Sequence, residues 1–356
     1  MALANPYVMT IEESPALGAH TSERRPDSGS VGHLALLVVY YLKDDDDMDL
    51  LALHCERIRR HTHVPYTIYA TANRCSPEAK ALVVAQPNVV MVDVPDTSYR
   101  SSAEHGYYLD ALLAAALDGD ATHICTLDVD SFPIVDTWVD IVAKQVDRTS
   151  QMAGIFRAEN GDTALAHPSC IFAARSYFER FSPSFAPFPA LSESMRAFLR
   201  DSGQSADTGI DLVGKLWAAR MTWGRMIRTN RNDPHYLMAG VYADAIFHLG
   251  GVGRGKIFRR DLQTSRVHRL SKPLEFLPKW LGGTDKRLQR IRAGAEARMA
   301  SNNRAIYSLL REWLVTDPES MFAYLLGQTD GSHDPWVQRL ESLPPDPESG
   351  PRRGMQ

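Results

Sequence analysis

Thr126-Leu127-Asp128-Val129-Asp130-Ser131-Phe132-Pro133 is the stretch that decides how this chain is read. It sets two carboxylates one residue apart at the end of an apolar run, His123-Ile124-Cys125-Thr126-Leu127, which has the length and composition of a buried strand. Residues i and i+2 of a strand share a face, so Asp128 and Asp130 are expected to converge where the strand frays into a loop. Two hard oxygen donors on one side of Mg²⁺ or Mn²⁺, with a substrate's phosphates on the other, are a common way to hold such an ion.

Upstream, strand and helix patterns alternate. Leu34 to Leu42 is an apolar run of about half the length a membrane helix needs, and reads as a buried first strand. An acidic run, Asp44 to Asp47, is expected to cap a helix over Met48 to Arg60, where Leu50, Leu51, Leu53 and Ile58 recur near helical spacing. A second strand at Tyr66 to Ala70 runs into Thr71-Ala72-Asn73, a helix covers Pro77 to Ala85, and a third strand covers Val89 to Val94. This alternation predicts a parallel, doubly wound α/β sheet. Ligands of such sheets sit beyond the carboxyl ends of the strands, which draws attention to Tyr40, Tyr41, Asn73 and the residues from Asp93 to Asp96.

An Asp-x-Asp at the end of a central strand, behind three strand-helix units, resembles the nucleotide-sugar glycosyltransferases of the GT-A fold. The resemblance covers about residues 33 to 262 and implies a Rossmann-like, mostly parallel sheet flanked by helices. It implies that Asp128 and Asp130 hold a divalent metal against the donor diphosphate, and that Tyr40, Asn73 and Asp96 lie beside the base and ribose. Ser102 is expected to cap a helix running to about Leu117, with Arg100 and His105 beside the nucleotide; the alternative for both is surface charge at a helix entry.

Two later stretches fit the same family order. Ala245-Ile246-Phe247-His248 is an apolar strand followed by Leu249 and a turn with four glycines in six residues, then Arg254 and Lys256. Glycines let backbone approach a diphosphate that those cations would neutralise, and the resemblance makes His248 a third metal ligand. Asp207-Thr208-Gly209-Ile210-Asp211-Leu212 opens a helix through Arg220 and resembles the segment that carries the carboxylate base of inverting enzymes. The usual adjacent Glu-Asp pair is absent, so Asp207, or failing it Asp211, stands as base or as a plain helix cap. A retaining reaction would need no such base.

The implied function is transfer of a sugar from a UDP-, GDP- or dTDP-sugar to an acceptor hydroxyl, with Mn²⁺ or Mg²⁺ as cofactor and inversion preferred over retention. The alternatives are an inactive GT-A-like binder of nucleotide sugars, and a phosphatase using the first Asp as nucleophile. Such phosphatase motifs lie near the start of their fold, unlike Asp128.

The organisation expected is a disordered leader over 1–30 without the pattern of a signal peptide, and a catalytic domain over 31–265 with a nucleotide-binding half (31–130) and an acceptor half (131–265). A helical extension over 266–342 and a disordered tail over 343–356 complete the chain. Ser184 to Ala190 reads as a mobile lid. Helical patterns over Thr284 to Ala300 and Asn303 to Val315 would cap the catalytic domain or pair two subunits as a homodimer. With 44% hydrophobic and 23% charged residues the chain is globular, and a net charge of −4 gives no reason to expect nucleic-acid binding. Residues 251–310 nevertheless carry fourteen Lys/Arg against four Asp/Glu. That excess could face an anionic acceptor, a membrane surface at the periphery, or acidic residues of the same fold. Cys55, Cys75, Cys125 and Cys170 are too scattered for a zinc knuckle or a disulfide framework, so reduced thiols and a cytoplasmic location are the expectation.

Overall fold

Seven strands form the central sheet in the order β3-β2-β1-β4-β7-β6-β8. The structure, a computed structural model, describes residues 31–42, 47–147, 150–162, 164–187, 193–250, 257–258, 261–262, 265, 267–268, 286–328 and 333–343. The expected leader, nearly all of the expected tail and the glycine-rich turn with Arg254 and Lys256 lie outside these residues. The strands are β1 (Leu34–Tyr41), β2 (Tyr66–Arg74), β3 (Val89–Met91), β4 (His123–Leu127), β6 (Ser150–Ile155), β7 (His167–Ala174) and β8 (Thr222–Met226). Pairing is parallel among β1, β2, β3 and β4 and between β6 and β8, whereas β7 runs antiparallel to both β4 and β6. This is the α/β, mostly parallel sheet that the alternation predicts.

The alternating apolar residues of β1 explain the layering. Leu34, Leu36, Val38 and Tyr40 face one side, where they meet α1 (Met48–His61), α2 (Pro77–Val84) and α4 (Trp138–Ala143) in a single core. Ala35 and Leu37 face the other side and pack with α3 (Ser102–Leu117), α5 (Arg175–Phe181), α6 (Glu193–Ser202) and α7 (Ile210–Ala218). Each fully buried Leu or Val of that strand contributes about 1.5–3 kcal/mol, so β1 anchors both layers.

A second sheet, β5-β10-β9, is short: β5 (Ser131–Pro133), β9 (Gly240–Tyr242) and β10 (Ile246–His248). Its Phe132, Val241 and Phe247 share a core with Ile306, Leu310, Trp313 and Leu314 of α8 (Lys286–Thr316) and with Met321 and Phe322 of α9 (Pro318–Leu325). The final helix, α10 (Asp334–Ser342), joins that core through Leu340. The C-terminal extension is thus helical as expected, and its apolar stripe is buried within the same chain. The two expected helices are one, because no proline or glycine interrupts Ala300 to Asn303.

Other expectations are corrected locally. Asp47 is the N-cap position of α1, but its carboxylate makes no cap bond and instead accepts from Arg311 Nε at 3.2 Å. The remainder of that acidic run lies outside the described residues. Ser101, not Ser102, is the N-cap position of α3, and it holds φ at +54°. The described start of the expected lid is pinned: Asp110 accepts from Ser184 Oγ and Phe185 N at 2.6 Å each, and Phe185 is fully buried.

Candidate active site

A cavity of about 620 Å³ opens at the carboxyl ends of β1, β2 and β4 and is walled by the N-terminus of α3. Its floor is the turn that follows β4. Ser131 N donates to Asp128 O at 2.9 Å, so the chain reverses over Asp128–Ser131 before β5 begins. The two-residue periodicity of a strand therefore ends at Leu127, and the two carboxylates do not form a simple same-face pair. Asp128 keeps 24% of its side chain exposed, while Asp130 lies beneath with 8%.

Asp130 ties the turn to the small sheet. Its main-chain carbonyl accepts from Leu249 N at 2.9 Å and its Oδ2 accepts from Gly250 N at 3.1 Å. Its Oδ1 lies 3.7 Å from His248 Nε2. His248 arrives there because β10 pairs antiparallel with β5, placing it opposite Ser131. Gly250 follows at φ +69°, a conformation that suits a residue without Cβ.

The third contributor was not anticipated. His167 begins β7, and because β7 runs against β4 its first residues reach the edge where β4 ends. Thr126 locks that junction: its Oγ1 donates to Pro168 O at 2.6 Å and accepts from Ile171 N at 2.9 Å. Asp128, His167 and His248 each offer a ligand atom, and these atoms all lie within 4.8 Å of one another. The His167 and His248 ring centroids are 5.2 Å apart. Sequence periodicity marked His167 only as the start of a strand; the available signal was a histidine at the mouth of a strand returning beside β4.

Burial dominates the electrostatics. Desolvation and the neighbouring Asp130 push the Asp128 carboxyl up to about 7. His248, buried, is pushed down, opposed by attraction to Asp130 and Asp128. His105 of α3, with Nε2 at 3.6 Å from Asp128 Oδ1, is pushed down to about 4 by burial and is uncharged at neutral pH. Arg157 lies on the cavity wall with its guanidinium held by Asp162 at 3.1 Å, and its charge acts on both Asp128 and His248. It is a second site residue that the sequence reading missed.

The remaining expected site residues fall in three groups. Asn73, Arg100, His105 and Asp207 line the cavity. Asn73 Nδ2 donates to Val94 O at 2.6 Å, joining β2 to the segment after β3. Asp207 sits three residues before α7, accepts a short hydrogen bond from Ser102 Oγ, and also accepts from Thr208 N at 2.9 Å. It thus links that segment to the first turn of α3 and does not occupy the helix-cap position, which is Gly209. Tyr40 borders the cavity, whereas Asp96 does not. The Tyr40 ring packs in the core edge-on to His54, while Tyr41, 43% exposed, lies on the cavity side of the strand. Asp96 is outside the lining; its Oδ1 accepts from Asn73 Nδ2 at 3.4 Å, and its charge also acts on Tyr108. Asp211 is likewise outside the lining; its carboxylate accepts from Ser184 N at 3.1 Å and fixes a loop, which removes it as the alternative base.

No family model and no curated protein matches this chain. Among solved structures, a mannosyltransferase from Pyrobaculum calidifontis in complex with GDP-Man and Mn²⁺ is similar at 13% identity, covering 88% of this chain and 90% of its own, with a TM-score of 0.40. The galactosyltransferase LgtC, in complex with donor and acceptor sugar analogues, is similar at 12% identity over 70% of this chain and 99% of its own, with a TM-score of 0.36. Glucosyl-3-phosphoglycerate synthase from Mycobacterium tuberculosis, in complex with Mg²⁺ and UDP, is similar at 12% identity over 41% of this chain and 57% of its own, with a TM-score of 0.28. All three scores are low, so the fold class rests on the strand order and pairing, and the site on its own geometry. Among the described residues no helix is long and apolar enough to cross a membrane.

Proposed function

We propose that this chain is a metal-dependent glycosyltransferase that moves a sugar from a nucleoside-diphosphate donor to an acceptor hydroxyl. The observation that carries the reading is the convergence of Asp128, His167 and His248 at the floor of a cavity beyond the carboxyl ends of β1, β2 and β4. The volume is within the range of small-molecule sites, and strand ends of an α/β sheet are where such ligands bind.

The three side chains fit a divalent cation. They bring one carboxylate and two imidazoles together, and the buried Nδ1 of His248 has no hydrogen-bond partner among the described residues. A cation held there would neutralise charge on the donor diphosphate as the nucleotide departs. Arg157 supplies a fixed positive charge on the same wall, the role expected of Arg254 and Lys256. The start of α3 and Arg100 line the cavity, and a helix N-terminus favours anions. Asp207, on that wall and hydrogen-bonded by Ser102 and Thr208, would take the acceptor's hydroxyl proton if the reaction inverts.

The test is release of nucleoside diphosphate from UDP-, GDP- and dTDP-sugars, each with Mn²⁺ and with chelator. One donor class should give release that chelator abolishes. If no donor is turned over or hydrolysed under either condition, the reading is wrong.

A further inference from the structure

The donor set around the cavity floor is richer in nitrogen than an Asp-x-Asp pair would make it. Asp128 contributes a carboxylate, and His167 and His248 contribute one ring nitrogen each, all within 4.8 Å. Around a single ion with bonds of about 2.0–2.2 Å, ligand atoms on opposite sides lie roughly 4 Å apart, so a closure of less than about 1 Å would complete the set. Asp130 is not in this group; its Oδ2 accepts from Gly250 N at 3.1 Å.

The His167 imidazole is oriented from behind. His167 Nδ1 lies 2.7 Å from Oγ of the fully buried Ser169 and accepts from Ser169 N at 3.3 Å, which sets Nε2 on the opposite side of the ring. His248 has a carboxylate oxygen of Asp130 facing Nε2 at 3.7 Å, while its buried Nδ1 has no partner among the described residues. A metal-bound histidine characteristically gives its second ring nitrogen to a carboxylate, hydroxyl or carbonyl, which fixes tautomer and ring plane. On β7 the Ser169 hydroxyl gives His167 such a contact, while on β10 the Asp130 carboxylate faces His248 from beyond hydrogen-bond reach.

We infer that Asp128, His167 and His248 form a two-imidazole, one-carboxylate metal centre selective for a first-row transition ion over Mg²⁺, with Ser169 as the positioning residue for the His167 ring. Imidazole favours borderline ions and affinity rises from Mn²⁺ toward Co²⁺, whereas Mg²⁺ prefers oxygen donors and keeps its water. The inference rests on the metal-dependent reading above and adds which ions the centre takes and which residue decides it. His167 is that residue, since an aspartate in its place would restore an oxygen-rich set.

Chelator-stripped protein, without donor, is titrated calorimetrically with Mg²⁺, Mn²⁺ and Co²⁺, and the visible absorption of bound Co²⁺ is recorded. Co²⁺ should bind tighter than Mg²⁺ by on the order of 100-fold or more, with Mn²⁺ between them. His167→Asp should narrow that gap and shift the Co²⁺ bands, and His167→Gln should lower Co²⁺ affinity. Ser169→Ala, which retains all three ligands, should lower Co²⁺ affinity by about 10–100-fold. Circular dichroism of each metal-free variant checks that the fold is kept. Equal affinity for Mg²⁺ and Co²⁺, no binding of any ion, or a His167→Asp spectrum identical to wild type would overturn the inference. Selective Co²⁺ binding without turnover of any nucleotide sugar would support this centre and sink the proposed function. Metal-dependent turnover with Mg²⁺ bound as tightly as Co²⁺ would do the reverse.

Discussion

Asp128→Asn should make the metal-free protein more stable at pH 8 while removing its response to metal. The Asp128 carboxyl is pushed from an ordinary 3.8 up to about 7 by burial and by Asp130. A group whose folded-state pKa is raised binds its proton more tightly when folded. Between about pH 4 and 7 the folded state therefore holds a proton that the unfolded chain lacks, and stability falls by about 1.4 kcal/mol per pH unit as pH rises. Summed to pH 7, the cost of keeping the carboxylate charged reaches about 4 kcal/mol. Water reaching 24% of the side chain lowers the expected figure to about 2–3 kcal/mol. The isosteric amide avoids this cost.

His105 and His54, held near 4 by burial, act in the opposite sense, because the unfolded chain takes up their protons below about pH 6.5. The wild-type profile mixes both effects, so the informative quantity is the difference between wild type and Asp128→Asn. Urea denaturation in chelator from pH 5 to 8 measures it: the variant should gain on wild type as pH rises. Metal at 100 times its dissociation constant should then return about 2.7 kcal/mol to wild type at pH 8 and far less to the variant. A variant no more stable than wild type at pH 8, or one whose advantage does not grow with pH, would refute the reasoning.

Three further outcomes follow from the geometry. Gly106→Ala places a Cβ 2.4 Å from Ala186 Cα and 2.6 Å from Phe185 O, both backbone; the clash should outweigh the gain of about 1 kcal/mol in helix propensity and destabilise by about 1–3 kcal/mol, read as a lower urea midpoint. Asp207→Asn should cut turnover by about 10²- to 10⁴-fold at unchanged donor affinity, and a first-turnover product of retained anomeric configuration by NMR would return Asp207 to a purely structural link. Trp313→Ala, emptying a fully buried site beside Tyr324 and Trp336, should cost about 3–5 kcal/mol in denaturation, and an unchanged midpoint would show that α8 does not support the main core.

The sheet was legible in the linear chain because its evidence is local. Apolar alternation in Leu34–Tyr41, the helical spacing of Leu50, Leu51 and Ile58, and the run before Asp128 each depend on neighbours within a few residues. Asp128 was legible for the same reason, being the first polar residue after a buried strand. His248 could be flagged as a histidine closing an apolar run, though its distance from Asp128 could not be known.

Which side chains gather at the cavity floor was decided by tertiary structure. Strand periodicity put Asp128 and Asp130 side by side, but the turn closed by Ser131 N and Asp128 O changes the geometry beyond Leu127. Pairing of β5 with β10 then brings Asp130 to Gly250 and His248, and the antiparallel course of β7 brings His167 beside Asp128 and His248. Strand direction and register between distant segments are set by how whole faces are buried, and no short window of residues encodes that. The same reason separates Asp207, which the packing of its segment on α3 turns to the cavity wall, from Asp211, which the same packing spends on Ser184.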